Sequence, residues 1–253
     1  MADYRSLHDW NLSPQQAIHL QQQLREQVSI RPLTEQLKTI AGADISFNKY
    51  SPLMYAAIVV LELPNLTIVE EATAVSETTF PYVPGLLSFR EVPALLEAWK
   101  KLTTEPDAVM LDGQGIAHPR RMGIAAHFGL CVDRPTLGCA KSVLAGKYQE
   151  PLAQRGAWAP MVHRDEVVGA ALRTKTNVGT VFVSPGHRLD LAAAIDITLQ
   201  CGAGYRIPEP TRRAHNLANV LRRASIAENI SAVVKETLNN SIPGIYRDEK
   251  KKI

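Results

Sequence analysis

Cysteine is scarce in this chain, with 3 in 253 residues: Cys131, Cys139 and Cys201. They cannot all pair, and none stands in a CxxC or another metal-ligand spacing, which excludes a disulfide framework and a zinc ribbon. A reducing, cytoplasmic setting is the simplest expectation. Long apolar runs are also missing. The longest, residues 55–61, falls far short of the ~20 residues a bilayer-spanning helix needs, so no membrane association is expected. The opening MADYRSLHDWNLSPQQ has no apolar segment of the kind a signal peptide carries. The 7 histidines contain no HExxH or HxxEH spacing, which argues against a zinc hydrolase. Neither GxGxxG nor a Walker A loop occurs, so no nucleotide cofactor is expected, and no GxSxG elbow marks a serine nucleophile. Charge of one sign is not in excess: 28 Lys+Arg against 25 Asp+Glu leave +3, which permits a nucleic-acid partner without demanding one. No repeat at a fixed period is visible.

What is present suits a folded domain. Hydrophobic residues make up 45% and charged residues 21%, enough for a core and unlike a disordered chain. No Gly-, Ser- or Pro-rich linker divides the sequence, so one main domain is expected. Ser13 and Pro14, with Gln16 completing a capping box, start a helix that runs to about Val28. Residues 40–47, 54–63 and 66–76 read as strands, and the tight turn at Pro64-Asn65 favours an antiparallel meander. A Pro- and Gly-rich loop at 80–85 precedes a helix ending in LLEAWKKL. Short strands follow at 108–111 and 136–140, with a helix at 122–130 between them. Strands at 167–172 and 180–184 and helices at 189–201 and 210–223 complete the pass. Three antiparallel strands followed by strand–helix alternation predict an α/β fold: a mixed sheet with helices on both faces, an order shared by ribonuclease H-like folds. The terminal RDEKKKI reads as a charged, mobile tail. A monomer is the expected state, since no coiled-coil pattern or long exposed apolar stripe appears.

Three acidic residues stand where carboxylates are costly or well placed. Asp44 lies inside the apolar strand IAGADISF, where it must be paired or bind a cation. Gly42, Asp44 and Ser46 share one strand face, and Gly42 leaves room for a ligand or another backbone. A strand-end Asp hydrogen-bonded to a nearby turn is the plainer reading. Asp112 closes the strand AVML and opens DGQGIAHPRR, at the strand end where α/β sheets bind ligands; a plain Asp-Gly turn is its alternative. Glu91 completes a Ser88-x-x-Glu91 capping box, but Pro93 breaks a helix begun at Ser88. A start near Val92 would instead free Glu91 to point into a site. If the first and fourth strands are neighbours, Asp44 and Asp112 meet, and hard oxygen ligands suit Mg²⁺ or Mn²⁺. Lys141, after TLGCA, is a point charge suited to phosphate. His118, Arg120 and Arg121 add potential cations, and Arg212, Arg213, Arg222 and Arg223 read as a solvated helix face. Phe80-Pro81-Tyr82-Val83-Pro84-Gly85 is a stiff loop, either an aromatic wedge for a base stack or a turn covering the core edge.

The blocks GADISF (42–47), PYVPGLLSFRE (81–91), DAVMLDGQGIAHPRRMGIAAHFGL (107–130), PTLGCAKS (135–142), VSPGHR (183–188) and YRIPEPTRRAH (205–215) closely resemble, in the same order, the endonuclease V family of deoxyinosine 3′ endonucleases. The resemblance spans roughly residues 10–223. It implies a ribonuclease H-like mixed sheet and Mg²⁺-dependent hydrolysis, with Mn²⁺ as a substitute. The bond cut is the second phosphodiester 3′ to a deaminated base, typically hypoxanthine, leaving a 3′-hydroxyl and a 5′-phosphate. By motif position, Asp44 and Asp112 are similar to the family's metal-binding aspartates, Glu91 to its third acidic residue and Lys141 to the lysine near the scissile phosphate. Tyr82 corresponds to the aromatic wedge, in a loop with Pro81 and Pro84. His215 falls where some members have a site histidine. Backbone around Gly85, Leu87, Gly113 and Ile124 would form the base pocket, with His118 among the substrate-binding residues. The implied partner is DNA carrying deaminated bases, with inosine-containing single-stranded RNA as the alternative. Residues 1–223 are then the catalytic domain, and 224–253 an extension, helical or partly mobile, with no assigned role.

Overall fold

The computed structural model describes residues 2–49 and 51–240, with side chains described as far as Ala227. The capping box forms as its spacing predicts. The Ser13 hydroxyl accepts from the Gln16 N–H, and the Gln16 side chain accepts from the Ser13 N–H. Helix α1 (Pro14–Leu24) runs into a 3-10 turn, Arg25–Gln27, so the expected end near Val28 holds. The three apolar runs form β1 (Thr39–Phe47), β2 (Leu53–Glu62) and β3 (Thr67–Glu77), paired antiparallel in succession. β4 (Ala108–Leu111) lies parallel to β1, and β5 (Thr136–Ala140) parallel to β4. β6 (Trp158–His163), β7 (Glu166–Leu172) and β8 (Val181–His187) complete an 8-stranded sheet ordered β3-β2-β1-β4-β5-β8-β7-β6.

Strand periodicity sends alternate side chains to two cores. On one face Ala41, Ala43, Met54 and Ile58 pack under α2 (Leu87–Trp99) and α3 (Ile124–Val132). On the other, Ile40, Val59, Met110 and Leu137 pack with α4 (Leu191–Gln200) and the start of α5 (Glu209–Asn240). The space left by Gly42 is taken by another backbone: a Cβ there would lie 1.9 Å from the Pro210 carbonyl oxygen. That close approach seats the first turn of α5 directly on β1.

Several details differ from the sequence expectation. Helix α2 begins at Leu87 and keeps Pro93 inside it, and the helix expected from 122 begins at Ile124. An interior proline costs about 3 kcal/mol. Burial of Phe89, Val92, Leu95, Leu96 and Trp99, at roughly 1.5–3 kcal/mol each, outweighs it. The Ser88–Glu91 capping box does not form; the N-cap is Leu86, with no side-chain bond, and the Ser88 hydroxyl meets His127 Nδ1 at 3.0 Å. Strand β6 was not among the expected strands; it lies at the sheet edge, where the missing donor of Pro160 is tolerated. Helix α5 continues past Arg223 to Asn240, so the position expected to end the catalytic domain falls within a helix. The tail RDEKKKI lies outside the described residues. Among the described residues no helix is long and apolar enough to cross a membrane.

Candidate active site

The parallel pairing of β1 and β4 ends at Ala43 opposite Leu111, so Asp44 and Asp112 are each the next residue along. The Asp112 N–H donates to the Ala43 carbonyl at 3.2 Å, which holds the two strand ends together. Helix α5 crosses the same face of β1, and His215 Nδ1 lies 2.7 Å from Asp44 Oδ2. Asp44, Asp112 and His215 each offer a donor atom within 4.8 Å of the others. Lys141, the first residue after β5, pairs with Asp112 Oδ2. Glu91 projects from α2 and is 7% exposed. Burial first, then the charges of Asp44 and Asp112, push its pKa up to about 8. Burial raises Asp44 as well, against the His215 hydrogen bond, and that bond raises His215.

Two ionised carboxylates about 4 Å apart, at an effective dielectric of ~20, repel by roughly 4 kcal/mol. Asp44 and Asp112 therefore need cationic partners; Glu91, expected with them as a metal ligand, is not in the group whose donor atoms lie within 4.8 Å of one another. The carboxylate oxygens of this pair fit a hard divalent cation. His215, which the family resemblance set where some members have a site histidine, has a donor atom within 4.8 Å of those of Asp44 and Asp112.

Beside this cluster lies a cavity of about 380 Å³. Tyr82, Pro84, Gly85, Leu87, Gly113, His118 and Ile124 line it, together with Asp112 and Lys141. The core-covering reading of the 80–85 loop holds for Phe80. Phe80 is buried and stacks on Phe89 at 5.6 Å between ring centroids, whereas Tyr82 is 66% exposed, next to exposed Pro81 and Pro84.

The histidine expected as a cation beside Asp112 is neutral. Burial above all, with Arg120 and Arg121 nearby, lowers His118 to about 4. Its Nε2–H donates to the Gly85 carbonyl at 2.9 Å, and its Nδ1 accepts from the Arg120 N–H at 3.1 Å. The Arg120 and Arg121 guanidinium groups are committed to protein acceptors, Gly85 O and the His163 carbonyl with Glu166. Arg212 and Arg213 likewise clasp buried Glu209, and Arg222 bonds Ser46 and Asn48, in place of a freely solvated face. Sequence reasoning missed Ser142, Val143 and Leu144, which line the cavity, and Gln21, whose signal is a polar residue within the buried stripe Ala17, Gln21 and Leu24 of α1.

A mixed sheet of this order, helices on both faces and carboxylates at the ends of its two parallel central strands define a nuclease of the ribonuclease H-like class. A family model for Endonuclease V matches residues 22–216. The Endonuclease V of Gloeobacter violaceus is 49% identical over 222 residues, covering 87% of this chain and 90% of that protein. The crystal structure of Endonuclease V from Streptomyces avermitilis superposes with a TM-score of 0.81 at 42% identity, over 85% of this chain and 96% of that one. Endonuclease V from Ciona intestinalis, in complex with a 24-mer DNA containing an inosine followed by a ribo-adenosine, matches with a TM-score of 0.71 at 26% identity, over 83% and 98%. The chain belongs to the endonuclease V family. It is an endonuclease, a nuclease hydrolase of a metal-dependent family.

Proposed function

We propose that this endonuclease acts in DNA repair, recognising deaminated bases, hypoxanthine foremost, and hydrolysing the second phosphodiester bond 3′ to the lesion, leaving a 3′-hydroxyl and a 5′-phosphate. The observation that carries this reading is that the base-sized cavity and the acidic cluster share Asp112. A base seated in the cavity therefore lies beside the hydrolytic groups while its own strand continues past them. Asp44 and Asp112 would hold the cation, with Glu91 as their third carboxylate. Bound there, Mg²⁺ (or Mn²⁺ in its place) supplies positive charge to the phosphoryl oxygens. Lys141 brings an ammonium to a phosphate oxygen beside Asp112. His215 holds a proton at Nδ1 against Asp44.

Extrusion and reading of the base fall to other residues. Tyr82, exposed on a loop stiffened by Pro81 and Pro84, fills the gap in the stack. Hypoxanthine offers an O6 acceptor and an N1–H donor where adenine offers the reverse. The first turn of α2, capped by no side chain, presents N–H groups with no intrahelical acceptor, and Leu87 lines the cavity. Backbone at Gly85, Gly113 and Ile124 completes a fixed set of polar groups. An adenine that leaves one of them unpaired loses about 1–3 kcal/mol. The enzyme works as a cytoplasmic monomer.

A second reading, cleavage of inosine-containing single-stranded RNA, draws support from the ribo-adenosine that follows the inosine in the Ciona intestinalis complex. Matched duplexes carrying one deoxyinosine or one adenine, incubated with Mg²⁺ or with chelator, test the first reading. A single Mg²⁺-dependent nick, one nucleotide beyond the base 3′ of the lesion, is expected. An intact deoxyinosine duplex together with rapid cleavage of inosine RNA of the same sequence would overturn it in favour of the second.

A further inference from the structure

Helix α1 contributes nothing to the acidic cluster or to the cavity lining, yet one of its side chains reaches both walls of the cavity. Gln21 is fully buried in the stripe that also holds Ala17 and Leu24. Its Nε2 donates to the Gly85 carbonyl at 3.0 Å and to the Met122 carbonyl at 3.0 Å. Its Oε1 accepts from Arg120 Nε. Two carbonyls that only accept and a guanidinium that only donates fix the orientation of this amide. Both carbonyls belong to residues that line the cavity from separate segments, its two backbone walls: Gly85 ends the aromatic loop before α2, and Met122 leads into Gly123 and Ile124 at the start of α3.

The Gly85 carbonyl is held from two further directions, by His118 Nε2 at 2.9 Å and Arg120 Nη2 at 2.8 Å. Gly85 itself has φ +79°, in a turn closed by the Leu86 N–H to Val83 O bond of 2.9 Å. A peptide anchored by these donors cannot rotate its oxygen into the cavity. We infer that Gln21 is a positioning residue for base selectivity: it ties the two backbone walls to each other, and so sets the spacing at which they meet a base. This rests on the base-reading role proposed above for the cavity.

The test is the ratio of kcat/KM on deoxyinosine and adenine duplexes, measured for the wild type, Gln21→Leu and Gln21→Glu. Each ratio comes from one preparation, so an unfolded fraction cancels. Gln21→Leu is expected to lower the ratio about tenfold, mainly through KM on the deoxyinosine duplex. Gln21→Glu keeps an acceptor for Arg120 but turns an oxygen towards two carbonyls, and is expected to lower the ratio at least as far. Where Gln21→Leu gives no folded protein, Arg120→Leu, at a half-buried position, removes both the donor to Gln21 Oε1 and a separate donor to the Gly85 carbonyl, and is expected to lower the ratio likewise. A merely structural role lowers both rates by one factor; an unchanged ratio in folded variants overturns the inference. A wild type that does not prefer deoxyinosine refutes the base-reading function itself, a result distinct from that of the variants.

Discussion

The carboxylates of Asp44 and Asp112 stand one residue beyond the β1–β4 pairing, whereas the neighbouring cavity is lined by Gly85, Gly113, Gly123 and the first turn of α2. The two regions share Asp112 but are held in place differently. The cluster takes its geometry from the register of β1 and β4 and from α5 packing on Gly42. The cavity depends on side chains outside it, among them Gln21 and Arg120, that bond the backbone from behind. Chemistry that needs charge at a point is served by side chains on rigid strands. Under the proposed function, a planar base would be read by fixed peptide groups, which need their own supports.

The largest effect should come from the cluster. Asp44→Asn and Asp112→Asn each remove a charge from it, and cleavage of a deoxyinosine duplex should fall by roughly 10²–10³-fold or more. Single-turnover rates with Mg²⁺ check this. The wedge loop separates structure from function within three residues. Phe80→Ala should cost about 3–5 kcal/mol of stability, as a buried aromatic does. Tyr82→Ala should change stability by less than about 0.5 kcal/mol yet weaken lesion preference about tenfold, since stacking on a base contributes ~1–3 kcal/mol. Denaturant melts paired with cleavage ratios distinguish the two; a Tyr82→Ala enzyme with full preference would remove the wedge.

The two regions should also respond to pH in opposite senses. Glu91 is raised from 4.5 to about 8, so the folded protein binds its proton more tightly than the unfolded chain does. Its stabilising contribution is complete below about pH 4.5 and is lost as pH rises through about 8. His118 in the cavity lining, lowered from 6.5 to about 4 chiefly by burial, behaves inversely. Its contribution is present above about pH 6.5 and is lost as pH falls through about 4. In chelator, Glu91→Gln should flatten the alkaline decline of Tm and leave the acid limb in place. The rise in Tm on adding Mg²⁺ should grow between pH 6 and 9. A rise independent of pH would place Glu91 outside the cation site.

The same contrast governs what could be read from the sequence. Asp44 and Asp112 were visible because a carboxylate inside or at the end of an apolar strand is an anomaly with few explanations, and the parallel neighbours that join them follow from strand order. Glu91 was ambiguous because the Pro93 rule, sound for an isolated helix, yields to burial of Phe89, Leu95 and Trp99 on α2. His118 was misread as a cation because its charge is decided by burial, a property of tertiary packing. Gln21 lies more than sixty residues from each carbonyl it binds, and nothing local in α1 announces those partners. Strand β6 was not among the expected strands, and only the assembled sheet reveals the place of Pro160 on an edge.

The central claim is that cutting and base reading are carried by separable groups, and it is tested most directly by binding. Asp44 belongs to the cluster and does not line the cavity. Affinities of Asp44→Asn for deoxyinosine and adenine duplexes are to be compared with those of the wild type held in chelator. The account predicts an undiminished preference for deoxyinosine in a variant that no longer cuts. A variant that loses preference and cleavage together would contradict it.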